Sequence, residues 1–250
     1  PATANDLFYV DDVTLCGPAS PIGDYIARRY TKEYAVGTTT INLEITDKSG
    51  NPASCSFDVT VTDNEMPLVV TTNHSATLAG GDVFIAIGDI DGESTDNCGI
   101  ASMSVSPDTL DCSNIGSNTV ILTVTDVHGN SASATAVVTV IGEIPSCSIT
   151  SVPSNTVFTG GSSTTLYLGY GPTSATLNAT STGGSSWTYS WSGNTALLSN
   201  TNTANPVFTP TSAGSYTYTV TTTNEFGCSS TCDITIDVVD ARCGTSKNPK

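Results

Sequence analysis

Apolar and polar residues alternate with period two in three stretches of the chain, each broken by one glycine. The stretches run from Thr38 to Asp63 around Gly50, from Thr119 to Val140 around Gly129, and from Ser215 to Asp240 around Gly227. Nine and seven residues before the glycine stand Ile41 and Leu43, Val120 and Leu122, and Tyr218 and Val220. Seven, nine and eleven residues after it stand Phe57, Val59 and Val61, then Ala136, Val138 and Val140, then Ile234, Ile236 and Val238. Side chains of a strand point alternately to its two faces, so each stretch predicts a hairpin with one buried face and a register fixed by that face. The turn residues before each glycine (KS, VH and EF) share no chemistry, so the repeat reads as scaffold.

The glycines lie 79 and then 98 residues apart, which predicts about three small domains. The expected boundaries are 1–15, the end of a preceding β domain; 16–64, a partial domain; 65–142 and 143–240, two complete ones; and 241–250, a linker. Residues 1–15 hold one strand-like run, LFYVDDVTL, with no partner in sequence. The reading therefore expects a piece of a longer secreted protein.

Charge changes the picture by exclusion. Seven basic residues face 23 acidic ones, a formal net charge of −16, and no Lys or Arg stands between Ser49 and Ala241. A nucleic-acid partner needs a cationic footprint, and an anionic membrane surface needs one too. No apolar run is long enough to span a membrane. Eight cysteines without CxxC pairs predict disulfides and an extracellular or cell-surface location. The lack of Lys and Arg also denies trypsin-like proteases a cleavage site.

Four segments resemble known families. FYVDDV resembles the last strand of a carbohydrate-binding β jelly roll. YAVGTTTINLEITDKSGNPASCSFDVTVTD resembles the second half of a hyaline-repeat (HYR) domain. DNCGIASMSVSPDTLDCSNIGSNTVILTVTDVHGNSASATAVVTV, from Asp96 to Val140, resembles the repeat of gliding-motility adhesins of Gram-negative bacteria. NPVFTPTSAGSYTYTVTTTNEFGC resembles the end of a polycystic-kidney-disease (PKD) domain, although WTYSWSGN (Trp187 to Asn194) replaces the usual W-x-F-G-D-G. The resemblances imply an all-β chain of tandem immunoglobulin-like sandwiches, opened by a strand from a preceding jelly-roll-like domain.

Cys55 and Cys232 each fall five residues past their turn glycine, and Cys16 and Cys147 open their domains. In an immunoglobulin-like sandwich the first strand can run parallel beside the last. That geometry implies Cys16–Cys55 and Cys147–Cys232, with Cys98–Cys112 left to the middle domain. Cys228 competes with Cys232 for Cys147, and Cys243 has no assigned partner.

Nine carboxylates and no cation lie between Glu65 and Asp126, densest in GDIDGESTDN. Acids at alternate positions around a glycine suit Ca²⁺, which takes six to eight oxygen ligands. The segment VTDNEMP resembles calcium-bridged linkers of cadherin-type arrays. The candidate ligands are Asp63, Glu65, Asp89, Asp91, Glu93, Asp96 and Asp126; the bland alternative is a solvated loop whose acids bond their own backbone.

Trp187, Tyr189 and Trp191 share strand parity. Trp191 reads as core, and Trp187 remains open as a glycan contact. Of the two histidines, His128 sits in a hairpin turn and reads as exposed; no G-x-S-x-G elbow is present, and the paired acids near Asp89, a few residues apart on one loop, are a poor match to glycosidase carboxylates facing across a cleft. Asn73 and Asn178 occupy N-x-S/T, and Thr109 an Asp-Thr-Leu resembling a bacterial O-glycosylation site. The expected function is a non-enzymatic stalk or adhesive segment of a secreted or surface bacterial protein, bound to surface glycans, proteins or copies of itself. The alternatives are a glycan-binding accessory region of a polysaccharide hydrolase and a subunit of a self-assembling filament.

Overall fold

The computed structural model describes residues 34–46, 49–155 and 162–242. In chain order the strands are β1 (Gly37–Thr46), β2 (Pro52–Val61), β3 (His74–Thr77), β4 (Asp82–Phe84), β5 (Ile100–Ser106), β6 (Thr109–Asp111), β7 (Gly116–Asp126) and β8 (Ser131–Ile141). They continue with β9 (Ser146–Pro153), β10 (Thr165–Leu168), β11 (Ala175–Thr182), β12 (Trp187–Gly193), β13 (Val207–Phe208), β14 (Gly214–Asn224) and β15 (Ser229–Asp240). Among the described residues one α-helical turn, α1 (Ile87–Ile90), and two 3-10 turns, Cys112–Asn114 and Thr195–Leu197, interrupt them. The chain is all-β and built of immunoglobulin-like sandwich modules. Among the described residues no helix is long and apolar enough to cross a membrane.

The three repeated stretches form β1–β2, β7–β8 and β14–β15. Gly50, Gly129 and Gly227 take φ of 87°, 93° and 84°. Only a residue without a Cβ adopts that left-handed conformation at little cost, which is why the turn is anchored on glycine. Alternation does set the faces: Val120, Leu122, Val124, Ala136, Val138 and Val140 are buried, and so are Tyr218, Val220, Ile234, Ile236 and Val238. The first hairpin differs. Phe57 is 36% exposed, and only Val61 of its predicted apolar face is fully buried. The strand-like run in 1–15 and the linker residues from Cys243 on lie outside the described residues.

The chain divides into two compact units. One comprises the chain up to Thr72 with Ile90–Val105 and Ile121–Thr135. The other comprises Asn73–Asp89, Ser106–Val120 and everything from Ala136 on. In the first, β1 and β2 pair antiparallel from Gly37↔Val61 to Thr46↔Pro52. The segment after them is held by backbone bonds: the Leu68 and Thr95 N–H groups donate to each other's carbonyls, and Gly92 N–H donates to Val70 O.

The second unit holds a complete sandwich, with sheets ordered β10-β15-β14-β12 and β13-β11-β9. Leu166, Trp191, Tyr218 and Ile236 from one sheet meet Leu177 and Phe208 from the other in a single core. Phe208 stacks tilted on Tyr216 and edge-on to Tyr218, with centroids 5.2 and 5.3 Å apart. The Tyr216 hydroxyl donates back to Ser212 O at 2.9 Å, the corner found in immunoglobulin domains. In the same unit β3 runs parallel beside the end of β8, His74 opposite Val138, as β10 runs parallel beside β15.

Candidate functional site

The turn from β7 to β8 is built on Asp126, three residues before Gly129. Its Oδ1 accepts from the N–H groups of His128 (2.8 Å) and Asn130 (2.9 Å), and its Oδ2 from the Asn130 side-chain amide (2.7 Å). Burial alone would raise the pKa of this carboxyl; the Asn130 amide and the turn N–H groups outweigh it and hold the group below the usual carboxylate range. Asn224 performs the same task in the β14–β15 turn, its Oδ1 accepting from Phe226 and Cys228 N–H. The turns therefore do share chemistry, at the position three before the glycine.

Each turn also ties down the segment that precedes its module. Asn130 Nδ2 donates to Asp63 O at 3.2 Å, and His128 Nδ1 stands 3.0 Å from Asp63 Oδ2. His128 is thus engaged by Asp63, whose own side chain is only 4% exposed. Asn224 Nδ2 donates at 2.8 Å both to Glu143 O and to Gly183 O.

Around Asp63 the carboxylates converge. One oxygen each from Asp63, Asp96 and Asp126 lies within 4.8 Å of the others. Asp96 Oδ1 caps the following turn by accepting from Cys98 and Gly99 N–H, at 2.8 and 3.0 Å. Its Oδ2 is buried with no hydrogen-bond partner among the described residues. The Cys98 thiol is pushed up to about 11, first by burial and then by its hydrogen bond to Asp63 and the charges of Asp63, Asp96 and Asp126. It is therefore a protonated, unreactive thiol at neutral pH.

The other candidate ligands are elsewhere. Glu65 is exposed and accepts from Asn97 Nδ2 at 2.5 Å, beside a hollow lined by Asp63, Glu65, Asn97 and Cys98. Asp91 Oδ1 accepts from the Ser94 N–H and hydroxyl. Asp89 belongs to the other unit, where it accepts from Ala86 N–H at 2.8 Å and stands 3.9 Å from His74. Glu93 is exposed with φ of 71°. One oxygen of Asp89 is taken by the turn at α1, and one oxygen of Asp91 by the turn to Ser94.

The disulfides need one correction. Cys112 bonds Cys228, 116 residues away, and not Cys98. The cause is a close backbone approach: Gly81 N–H donates to Phe226 O at 2.9 Å, and Cys112 Sγ lies 3.4 Å from Gly81 O. A Cβ on Gly227 would fall 2.2 Å from Gly81 N, so only glycine permits the turn to sit there. Cys147 bonds Cys232, yet not by the route expected. The strand parallel to β15 is β10, while Cys147 lies on β9 of the opposite sheet; the bridge joins the two sheets. Cys55 makes no disulfide among the described residues, and Cys16 lies outside them.

Glu225, in the same turn, clamps the approach to β12: its carboxylate accepts from the Ser185 N–H and hydroxyl and from the Ser186 N–H. Its own backbone N–H, then Ser185, lower its pKa from 4.5 to about 2. A depressed carboxyl stabilises the fold above its unfolded value and loses that contribution as pH falls through its folded value. Glu225→Gln is therefore expected to be less stable than the parent near neutrality, with the gap closing between about pH 4.5 and 2. Denaturant unfolding across that range checks it; a gap independent of pH would refute the assignment.

Trp191 is buried, its indole N–H donating to Thr203 O at 2.8 Å. Trp187 is half-buried, with its N–H buried and unpartnered among the described residues. Asn73 is exposed but uses its Oδ1 to accept from Val137 N–H. Asn178 is half-buried in mid-β11, and Thr109 is exposed on β6.

Comparison with known proteins matches the HYR domain family model to residues 27–61. Among solved structures, four extracellular cadherin domains of protocadherin gamma B7 align over 81% of this chain at 15% identity and a TM-score of 0.25. The chain spans 58% of that structure. The eight N-terminal immunoglobulin domains of Down syndrome cell adhesion molecule align over 85% of this chain and 28% of their own, at 13% identity and a TM-score of 0.31. The fibronectin(III)-like modules of Clostridium thermocellum CbhA align over 73% of this chain and all of theirs, at 13% identity and 0.27.

Proposed function

We propose that this chain is a non-enzymatic structural and adhesive segment of a secreted or surface-exposed bacterial protein, a stalk of tandem modules that carries load. The observation that carries the reading is the Cys112–Cys228 bridge. It links the β4–β6 region to the turn of the following sandwich, across the Glu143–Pro145 linker. A bridge placed there resists separation of successive modules, which a catalytic domain does not need and a stalk does. The oxidising compartment follows from the same bridge. The boundaries 65–142 and 143–240, and partners among surface proteins, glycans or further copies of the chain, belong to this proposal. Calcium belongs to it only where acids converge, at Asp63, Asp96 and Asp126. The half-buried Trp187 with its sequestered N–H supports the stalk over a glycan-stacking accessory domain. The test is to pull on the chain by its two ends with the bridges intact and then reduced; extension through residues 113–227 without reductant would overturn the reading.

A further inference from the structure

We infer that Asp63, Asp96 and Asp126 form a binding site for one hard divalent cation, Ca²⁺, at the foot of the β7–β8 turn. The inference deepens the calcium part of that reading and does not depend on the stalk, since it rests on local chemistry alone.

Three carboxylates present oxygens within 4.8 Å of one another. Two of them are withdrawn from water: the Asp63 side chain is 4% exposed and Asp126 is 1% exposed. Carboxylates brought together out of water repel, and burial removes the solvent that would screen them. The segment from Asp63 to Asn130 that supplies them contains no Lys or Arg. A local cause for the gathering is also missing for Asp96 Oδ2, which is buried and accepts no hydrogen bond. Its sister oxygen already caps the turn, so the second is free to face a ligand. A cation resolves the repulsion and the orphaned oxygen together.

The donor set selects the ion. Carboxylate oxygens suit hard cations, and Ca²⁺ tolerates an irregular ligand shell completed by water. Mg²⁺ demands a near-ideal octahedron that three irregularly disposed side chains do not impose. A second trio, Asp63, Cys98 and His128, also lies within 4.8 Å and shares Asp63. It carries one sulfur and one nitrogen, the donors of a softer ion such as Zn²⁺. The two trios compete for the same carboxylate, and the oxygen set is favoured because it answers for the unpartnered Asp96 oxygen. Solvent reaches Asp63 through the hollow beside Glu65 and Asn97.

The test titrates CaCl₂ into the chelator-stripped, disulfide-intact full chain by calorimetry, with Tb³⁺ luminescence as a second reading. One saturable Ca²⁺ site is expected. Asp96→Asn should weaken it at least about tenfold, because even outer-shell changes at metal sites cost that much. Glu93→Gln, on an exposed residue outside the cluster, should bind as the parent does. Should Asp96→Asn not fold, Asp63→Asn serves in its place, and the parent titration stands alone. No saturable binding of Ca²⁺ by the parent overturns the inference. So does unchanged affinity in Asp96→Asn, or a preference for Zn²⁺ that disappears in Cys98→Ser.

Discussion

Pulled by its ends under oxidising conditions, the chain is expected to withhold about 400 Å of contour length that reductant then releases, at roughly 3.5 Å for each of the 116 residues bridged. The two disulfides overlap in sequence, Cys112–Cys228 and Cys147–Cys232, so the force path leaves the backbone at residue 112 and rejoins it at 228. Nothing in between can extend until sulfur bonds break. Cys112→Ser alone is expected to release only about a quarter of that length, since Cys147–Cys232 still closes a span of 85 residues. A loop of such size also restricts the unfolded chain, a contribution of about 4–5 kcal/mol in the chain-entropy account. Full extension of the parent without reductant would contradict the stalk.

Trp191→Ala is expected to cost the β9–β15 sandwich about 3–5 kcal/mol, the usual loss for a buried aromatic truncated to alanine. Trp191 is 4% exposed within a core shared by Tyr218, Leu177 and Phe208, and it also gives up a hydrogen bond to Thr203 O. Trp187→Ala, on a half-buried residue whose N–H bonds nothing among the described residues, is expected to cost about 1–2 kcal/mol. Denaturant unfolding followed by far-ultraviolet circular dichroism separates the two. Equal costs would mean that both rings serve as core and that their shared parity carries no distinction.

The hairpins were legible because their cause is local. Period two states which face is buried, and a glycine at positive φ states where the chain turns. Leu122 and Val138, or Val220 and Ile236, could be assigned inward without any knowledge of their partners. The cysteines were not legible in the same way. Cys112 meets Cys228 because Gly81 and Gly227 bring two backbones together from distant parts of the sequence, and no spacing rule encodes that approach. Cys147 and Cys232 could be paired, yet for a strand order that the sandwich does not have.

The acids differ in where their partners come from. Asp89 and Asp91 sit at the spacing of a calcium loop, but short turns use their oxygens locally, as Asp does wherever a nearby N–H is free. Asp63, Asp96 and Asp126 converge from three separate segments, which spacing cannot reveal. One signal was available and overlooked. Asp47, Asp126 and Asn224 each stand three residues before their turn glycine; Asp126 and Asn224 cap their turns, and the preceding segment is held by Asn130 in the first case and by Asn224 itself in the second. Asp47 lies outside the described residues.

Peptic digestion at low pH without reduction, followed by mass spectrometry, tests the Cys112–Cys228 bridge most directly, because acid suppresses thiol–disulfide exchange and trypsin has no site between residues 49 and 241. The result expected is one pair of peptides joined through Cys112 and Cys228 and another through Cys147 and Cys232. A Cys98–Cys112 peptide, or Cys228 joined to Cys147, would contradict it.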